Sequence, residues 1–281
     1  MQKALSPSAI GVKAPTIEAA AEAARLGGFV AVEISPKEVV ERGVEASRQA
    51  LGGIAVAGFG VPFDWRGEES AWKEGLDALP EQAKAMAALG CRRCSTWIMP
   101  MSDERDYASN REFHVSRLRP IAQALAAEGI TFGLEYVGPK TLWSKGKYPF
   151  AHTMREMLEL GREVGPNVGL LFDAWHWYTS HETLDDIRAL KPEQVVYVHV
   201  NDAPAGLDVD EQVDHTRALP GETGVIDLSG VLKALKELGY DGPVVCEPFK
   251  KELNELPDDA ARLKAVGDAM DRMFEKAGIG S

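Results

Sequence analysis

The stretch Val168-Gly-Leu-Leu-Phe-Asp173 is an uncharged run that ends on a carboxylate. Near-continuous apolar runs of this length read as strands buried on both faces, as in a parallel sheet. Three other segments share the pattern: Thr131-Phe-Gly-Leu-Glu135, Val195-Val-Tyr-Val-His199 and Val244-Val-Cys-Glu247. Taken singly, a strand-end Glu or Asp reads as a surface or cap residue, and His199 as a satisfied core histidine. Four such side chains at one relative position read instead as one site drawn from four strands.

Working outward, earlier apolar, β-rich segments cover Ala4 to Val12, Phe29 to Ile34, Ile54 to Val61 and Cys94 to Met99. The later ones extend over Thr131 to Val137, Val168 to Ala174, Val195 to Val200 and Pro243 to Phe249. Between them, helical spacing appears over Ile17 to Leu26, Trp72 to Leu89, His114 to Glu128, Met154 to Val164, Leu184 to Leu190 and Leu228 to Leu238. A last helix is expected from about Asp258 to Lys276. Thr153-Met-Arg-Glu156 and Thr183-Leu-Asp-Asp186 carry capping spacing at helix starts. Gly90, Gly129, Gly165 and Gly239 stand where glycine caps would release the chain into the next strand.

Strands alternating with helices in this way predict an α/β fold, a (β/α)8 TIM barrel, rather than an open doubly wound sheet. Only a closed barrel readily points four consecutive strand ends at one spot. No linker or composition break divides residues 1–281, so a single domain is expected. The loops Asp64 to Ser70, Gly138 to Ala151 and Asp202 to Ile226 all follow strands and should overhang the same mouth.

Bulk properties narrow the function. The formal net charge of -12 disfavours a nucleic-acid or anionic-membrane partner. No apolar run approaches the roughly 20 residues that span a bilayer, and the polar start is unlike a secretory signal, so a cytoplasmic location is expected. Cys91 and Cys94 form a C-x-x-C without a second pair or a nearby His, and read as two small buried residues rather than a zinc or redox pair. No phosphate-cradling glycine loop and no nucleophile elbow occurs.

Three carboxylates and one imidazole suit one divalent cation, with Mn²⁺ favoured and Mg²⁺, Co²⁺ or Zn²⁺ as alternatives. Two further side chains belong near it. His176 follows Asp173 by three positions and Arg217 lies in the loop after the seventh strand; both are expected to hydrogen-bond substrate oxygens, against a helix cap or a further metal ligand for His176 and a solvated charge for Arg217. Trp65, Trp97, Trp143, Trp175 and Trp177 also fall near the mouth, where a flat wall would suit a sugar or cyclitol ring, although ordinary packing explains any one of them.

The segments Gly133-Leu-Glu-Tyr-Val-Gly-Pro, Asn167-Val-Gly-Leu-Leu-Phe-Asp-Ala-Trp-His, Val198-His-Val-Asn-Asp and Pro220-Gly-Glu-Thr-Gly-Val-Ile-Asp resemble the xylose isomerase-like TIM-barrel superfamily. Within it the pattern is most similar to inosose isomerase, with ketose 3-epimerases next. The resemblance implies that Glu135, Asp173, His199 and Glu247 are metal ligands. It also matches His176 and Arg217 to the family's substrate-binding His and Arg.

Shifting or inverting a centre beside a carbonyl needs removal of an α-proton, and a divalent ion stabilises the enediolate that results. Glu135 and Glu247 are the expected proton-transfer pair. The expected partner is a small polyhydroxy ketone, and a homo-oligomer is left open. Three rival readings stand beside this one: a metal-dependent dehydratase of a keto-cyclitol or related hydroxyketone, an apurinic endonuclease lacking its extra histidines, and a non-catalytic sugar-binding barrel.

Overall fold

A computed structural model describes residues 1–280. Its strands are β1 (Gln2–Leu5), β2 (Ala31–Val32), β3 (Ala55–Val56), β4 (Phe59–Gly60), β5 (Arg93–Ile98), β6 (Met101–Ser102), β7 (Thr131–Tyr136), β8 (Tyr148–Pro149), β9 (Val168–Asp173), β10 (Val195–Val200) and β11 (Pro243–Cys246). Nine of them form one sheet in the order β3-β2-β1-β11-β10-β9-β7-β5-β4. All its pairings are parallel.

The two ends of that list, β3 and β4, are consecutive in the chain and separated only by Ala57-Gly58. Ala57 N donates to Val32 O at 2.9 Å, and Val61 N donates to Ser95 O at 3.0 Å. One interrupted stave therefore closes the ring, and the sheet is the eight-staved TIM barrel that the sequence predicts.

Two apolar cores follow from closure. The larger lies between strands and helices. The smaller fills the barrel axis with Ala4, Ala31, Ala57, Leu171, Tyr197 and Val245. Small residues on the early strands leave room for the Tyr197 ring, which crosses toward Gly58. A Cβ at Gly58 would lie 2.9 Å from that ring, so only glycine fits there.

Register then aims the strand ends. Trp97 is the lateral partner of Glu135, and His199 pairs with both Asp173 and Val245. Lateral partners in a parallel sheet share a face, and the side-chain period of two returns Glu247 to the face of Val245. Glu33 lies two residues past inward-facing Ala31 and Ser6 two past Ala4, so both join this inner layer at the C-terminal mouth.

Several local expectations hold. Thr153 accepts a hydrogen bond from Glu156 N, and Thr183 with Asp186 forms a reciprocal capping box. Gly90, Gly129 and Gly239 have φ of 88°, 66° and 95°, the left-handed region that glycine adopts freely. Cys91 and Cys94 are free and buried.

Other expectations are corrected. Gly165 has φ 174°, so it ends its helix in extended backbone rather than with a left-handed cap. The first strand stops at Leu5 and a 3-10 turn occupies Ser8–Ile10, because Pro7 supplies no ladder N–H. Two helices, Pro36–Arg42 and Val44–Leu51, with Gly43 between them, add to those expected from the helical spacing. The segment after β7 holds a short helix, Lys140–Trp143, and β8, which pairs antiparallel with β6 to form a small flap.

Candidate metal centre

The structure brings the four strand-end side chains together. Glu135, Asp173, His199 and Glu247 each present a ligand atom, and these atoms lie within 4.8 Å of one another. Glu135 and His199 are the penultimate residues of β7 and β10, Asp173 ends β9, and Glu247 directly follows β11.

The residues fit a divalent ion. His199 Nδ1 stands 3.4 Å from Glu135 Oε1 and 3.6 Å from Glu247 Oε2. Yet Glu135 Oε1 and His199 Nδ1 are both buried without a hydrogen-bond partner among the described residues. Orphaned buried polar atoms are costly, and a cation between them would satisfy both. Three carboxylates and an imidazole are ligands that hard and borderline divalent ions share.

Electrostatics divide the carboxylates. Burial pushes Glu135 up to about 7, against the pull of His199. Asp173 and Glu247 are buried too, but Arg217 beside Asp173 and His199 beside Glu247 hold both below the ordinary value. Burial opposes charge on His199, and the Glu247 and Glu135 carboxylates outweigh it, so the imidazole is raised. One protonatable carboxylate beside an ionised one is the asymmetry that acid–base work uses.

A supporting ring surrounds the four. Asp173 Oδ1 accepts from Trp175 N at 2.7 Å, and Oδ2 accepts from Arg217 Nη1 at 2.8 Å. Asn201 donates to Asp173 Oδ2 at 3.5 Å and accepts from Glu247 N at 2.9 Å, linking two ligand strands. The fully buried Asp202 accepts from the backbone N–H groups of Ala203, Thr223, Gly224 and Ile226 at 2.7–3.0 Å. It pins both ends of the loop that carries Arg217. Asn201 and Asp202 are quoted in the strand-seven motif, but their type gave no sign that they face the protein rather than a ligand.

His176 and Arg217 do come to the centre, and both are buried. Arg217 donates through Nε to Asp214 O, through Nη1 to Asp173 and Glu247 O, and through Nη2 to His176 Nε2 and Asp214 Oδ1. A guanidinium has five N–H donors, and five acceptors are met. Burial lowers His176 below its ordinary value. A neutral ring has one acceptor nitrogen, and two donors approach it: Arg217 Nη2 at Nε2, 3.2 Å away, and Gly138 N at Nδ1, 3.3 Å away.

Glu33 is a further acid that the sequence reading left without a role. Burial raises it, against the Ser6 hydroxyl and the charge of His199. It lines a cleft of about 600 Å³ with Ser6 and Phe59. Of the five tryptophans read as a wall, Trp65, Trp175 and Trp177 are buried, Trp143 stacks on His152, and Trp97 is 42% exposed.

Comparison with known proteins agrees with the fold. The model of the family described as xylose isomerase-like TIM barrel matches residues 20–274. The chain belongs to this family. A xylose isomerase domain protein from Alicyclobacillus acidocaldarius shares 30% identity and superposes with a TM-score of 0.86, covering 99% of both chains. An inosose isomerase from Bacillus velezensis is 30% identical over 46% of this chain and 43% of its own length. A 3-dehydroshikimate dehydratase from Pseudomonas putida is 24% identical over 84% of this chain and 36% of its own length. The matches thus span less than half of either curated relative. Among the described residues no helix is long and apolar enough to cross a membrane.

Proposed function

We propose that this family member is a divalent-metal-dependent isomerase or epimerase of a keto-sugar or keto-cyclitol. The observation that carries the reading is the orphaned pair Glu135 Oε1 and His199 Nδ1 inside a cluster of four convergent ligands. Glu135, Asp173, His199 and Glu247 would hold the ion, with Mn²⁺ favoured. When bound, the ion supplies Lewis-acid stabilisation of the enediolate charge.

The protein's own residues do the rest. Glu135 and Glu247 rise from different staves and flank His199, so they address a substrate from two sides. One carboxylate takes the α-proton and the other returns one, and their opposite pKa shifts suit that division. Arg217 holds Asp173 and the Glu247 backbone in place, and its Nη2, paired with His176, is the donor that would turn to a substrate oxygen. His176 is the other candidate for a direct hydrogen bond to a substrate oxygen, once Arg217 shifts from its Nε2.

The test is α-proton exchange in D2O with the metal-loaded protein on a panel of ketoses and inososes. Glu135→Gln and Glu247→Gln should each abolish deuterium incorporation while still folding. Retained exchange in both variants would sink the assignment. A dehydratase is the second reading, favoured by the match to 3-dehydroshikimate dehydratase over 84% of the chain. It shares the first proton abstraction, and product mass separates the two because dehydration loses water.

A further inference from the structure

Arg66 lies in the loop after β4, at the same end of the barrel as the four ligands. Its guanidinium carbon stands 4.1 Å from the centroid of the Trp65 ring and 4.2 Å from that of Trp97. The cation is thus held between two indole faces, an arrangement that favours a positive charge most when it is partly desolvated. Trp97 is the lateral partner of Glu135, so one ring separates Arg66 from a metal-ligand strand.

The hydrogen bonding of Arg66 is incomplete. Nη2 donates to Thr96 Oγ1 at 3.3 Å and to Trp97 O. Nε is buried with no partner among the described residues. Asp64, the nearest acid in the loop, spends its Oδ1 on the backbone N–H groups of Arg66 and Gly67 and makes no ion pair with the guanidinium. Burial lowers Arg66 to about 10, so it remains charged at neutral pH. Other partly buried cations of this rim are matched: Arg217 by Asp173 and Asp214, and Lys250 by Glu222. A partly desolvated cation with Asp64 nearby but no ion pair gains from an anion that can pair with it.

We propose that Arg66 is the anchor for a carboxylate on the substrate, so that the barrel acts on a hydroxy-keto acid. This rests on the function proposed above and narrows its substrate to a keto-sugar or keto-cyclitol bearing an acid group. Nη2 is committed to Thr96 and Trp97, and Nη1 makes no hydrogen bond among the described residues, so Nη1 is the group left to donate to a carboxylate oxygen, while the Trp97 face packs against the carbon skeleton. In a mouth lined by carboxylates, Arg66 is the group that makes an anionic substrate acceptable.

The test compares an acid with its neutral ester. The probes are 3-dehydroshikimate and its methyl ester, with an uncharged inosose as a third arm. Affinity and α-proton exchange are measured for metal-loaded wild type, Arg66→Met and Arg66→Lys. Wild type should prefer the acid by on the order of 30- to 100-fold, the scale of a charge-assisted hydrogen-bond pair. Arg66→Met should reduce that preference to within about threefold, and Arg66→Lys should retain part of it. A purely structural role would lower acid and ester together and leave their ratio unchanged, which overturns the proposal. So does a wild type that treats acid and ester alike, or one that exchanges only the inosose. The last result leaves the isomerase reading standing. Absence of exchange in all three arms counts against the isomerase reading, and the acid-to-ester affinity ratio in wild type and Arg66→Met then upholds or overturns the anchor by itself.

Discussion

Replacing Asp202 by Asn tests whether the loop that carries Arg217 is held from beneath. Asp202 Oδ1 accepts from Ala203 N at 2.9 Å and Ile226 N at 3.0 Å. Oδ2 accepts from Thr223 N at 3.0 Å and Gly224 N at 2.7 Å. In Asp202→Asn one oxygen becomes an NH2 group, so two backbone donors lose their acceptor and face another donor. Hydrogen bonds to a charged acceptor are each worth about 1.5–3 kcal/mol. Two of them amount to about 3–6 kcal/mol, or a fall in Tm of roughly 6–20 °C for a domain of this size. Denaturant unfolding gives the free energy and calorimetry the Tm. The loosened loop should also weaken metal affinity, because Arg217 no longer fixes Asp173. A variant within about 1 kcal/mol of wild type would refute the reasoning, since four short bonds to a buried carboxylate cannot be dispensable.

Chelation should lower Tm and added Mn²⁺ restore it, by about 2.7 kcal/mol when the ion is at a hundred times Kd. Stoichiometry by elemental analysis should be one ion per chain; three would revive the endonuclease reading. Glu182 accepts from Tyr136 Oη and Met154 N, and burial raises it to about 7. A folded value above the unfolded one means the folded chain keeps the proton, so stability is full below about pH 4.5 and declines as pH rises toward 7. Glu182→Gln should remove that decline, on the order of 2–3 kcal/mol, and unfolding curves at pH 5 and pH 8 that move in parallel with wild type would contradict it. Gly138→Ala would place a Cβ 2.4 Å from His176 O and 2.3 Å from Ser180 Oγ, and should cost about 1–3 kcal/mol by overpacking, read by denaturant midpoint.

Much of the site was legible because its chemistry breaks a pattern. A carboxylate or imidazole closing an apolar strand stands out against its neighbours, and parallel pairing then forces such ends onto one rim. The barrel itself followed from the same alternation. What stayed hidden is mostly polar groups that face the protein. Asn201 and Asp202 look like ordinary loop residues until backbone donors from two distant segments are found around them. Arg217 stands out in sequence as a loop cation, but nothing there shows that it also braces Asp173 and the Glu247 backbone. Glu33 directly follows the two-residue β2 and closes the run Phe29-Val-Ala-Val, the same pattern as the four ligands, but its segment ends on Ile34 and so did not single it out.

The interrupted stave at Ala57-Gly58 divides the barrel into unequal arcs. The strands β7, β9 and β10 have six residues each, while β2, β3 and β4 have two each. All four proposed ligands belong to the arc from β7 to β11. Breathing of the wall, seen as fast amide exchange, should therefore concentrate on the opposite arc. The ring can loosen on the side where it is joined by covalent chain while the half that would grip the ion keeps its geometry.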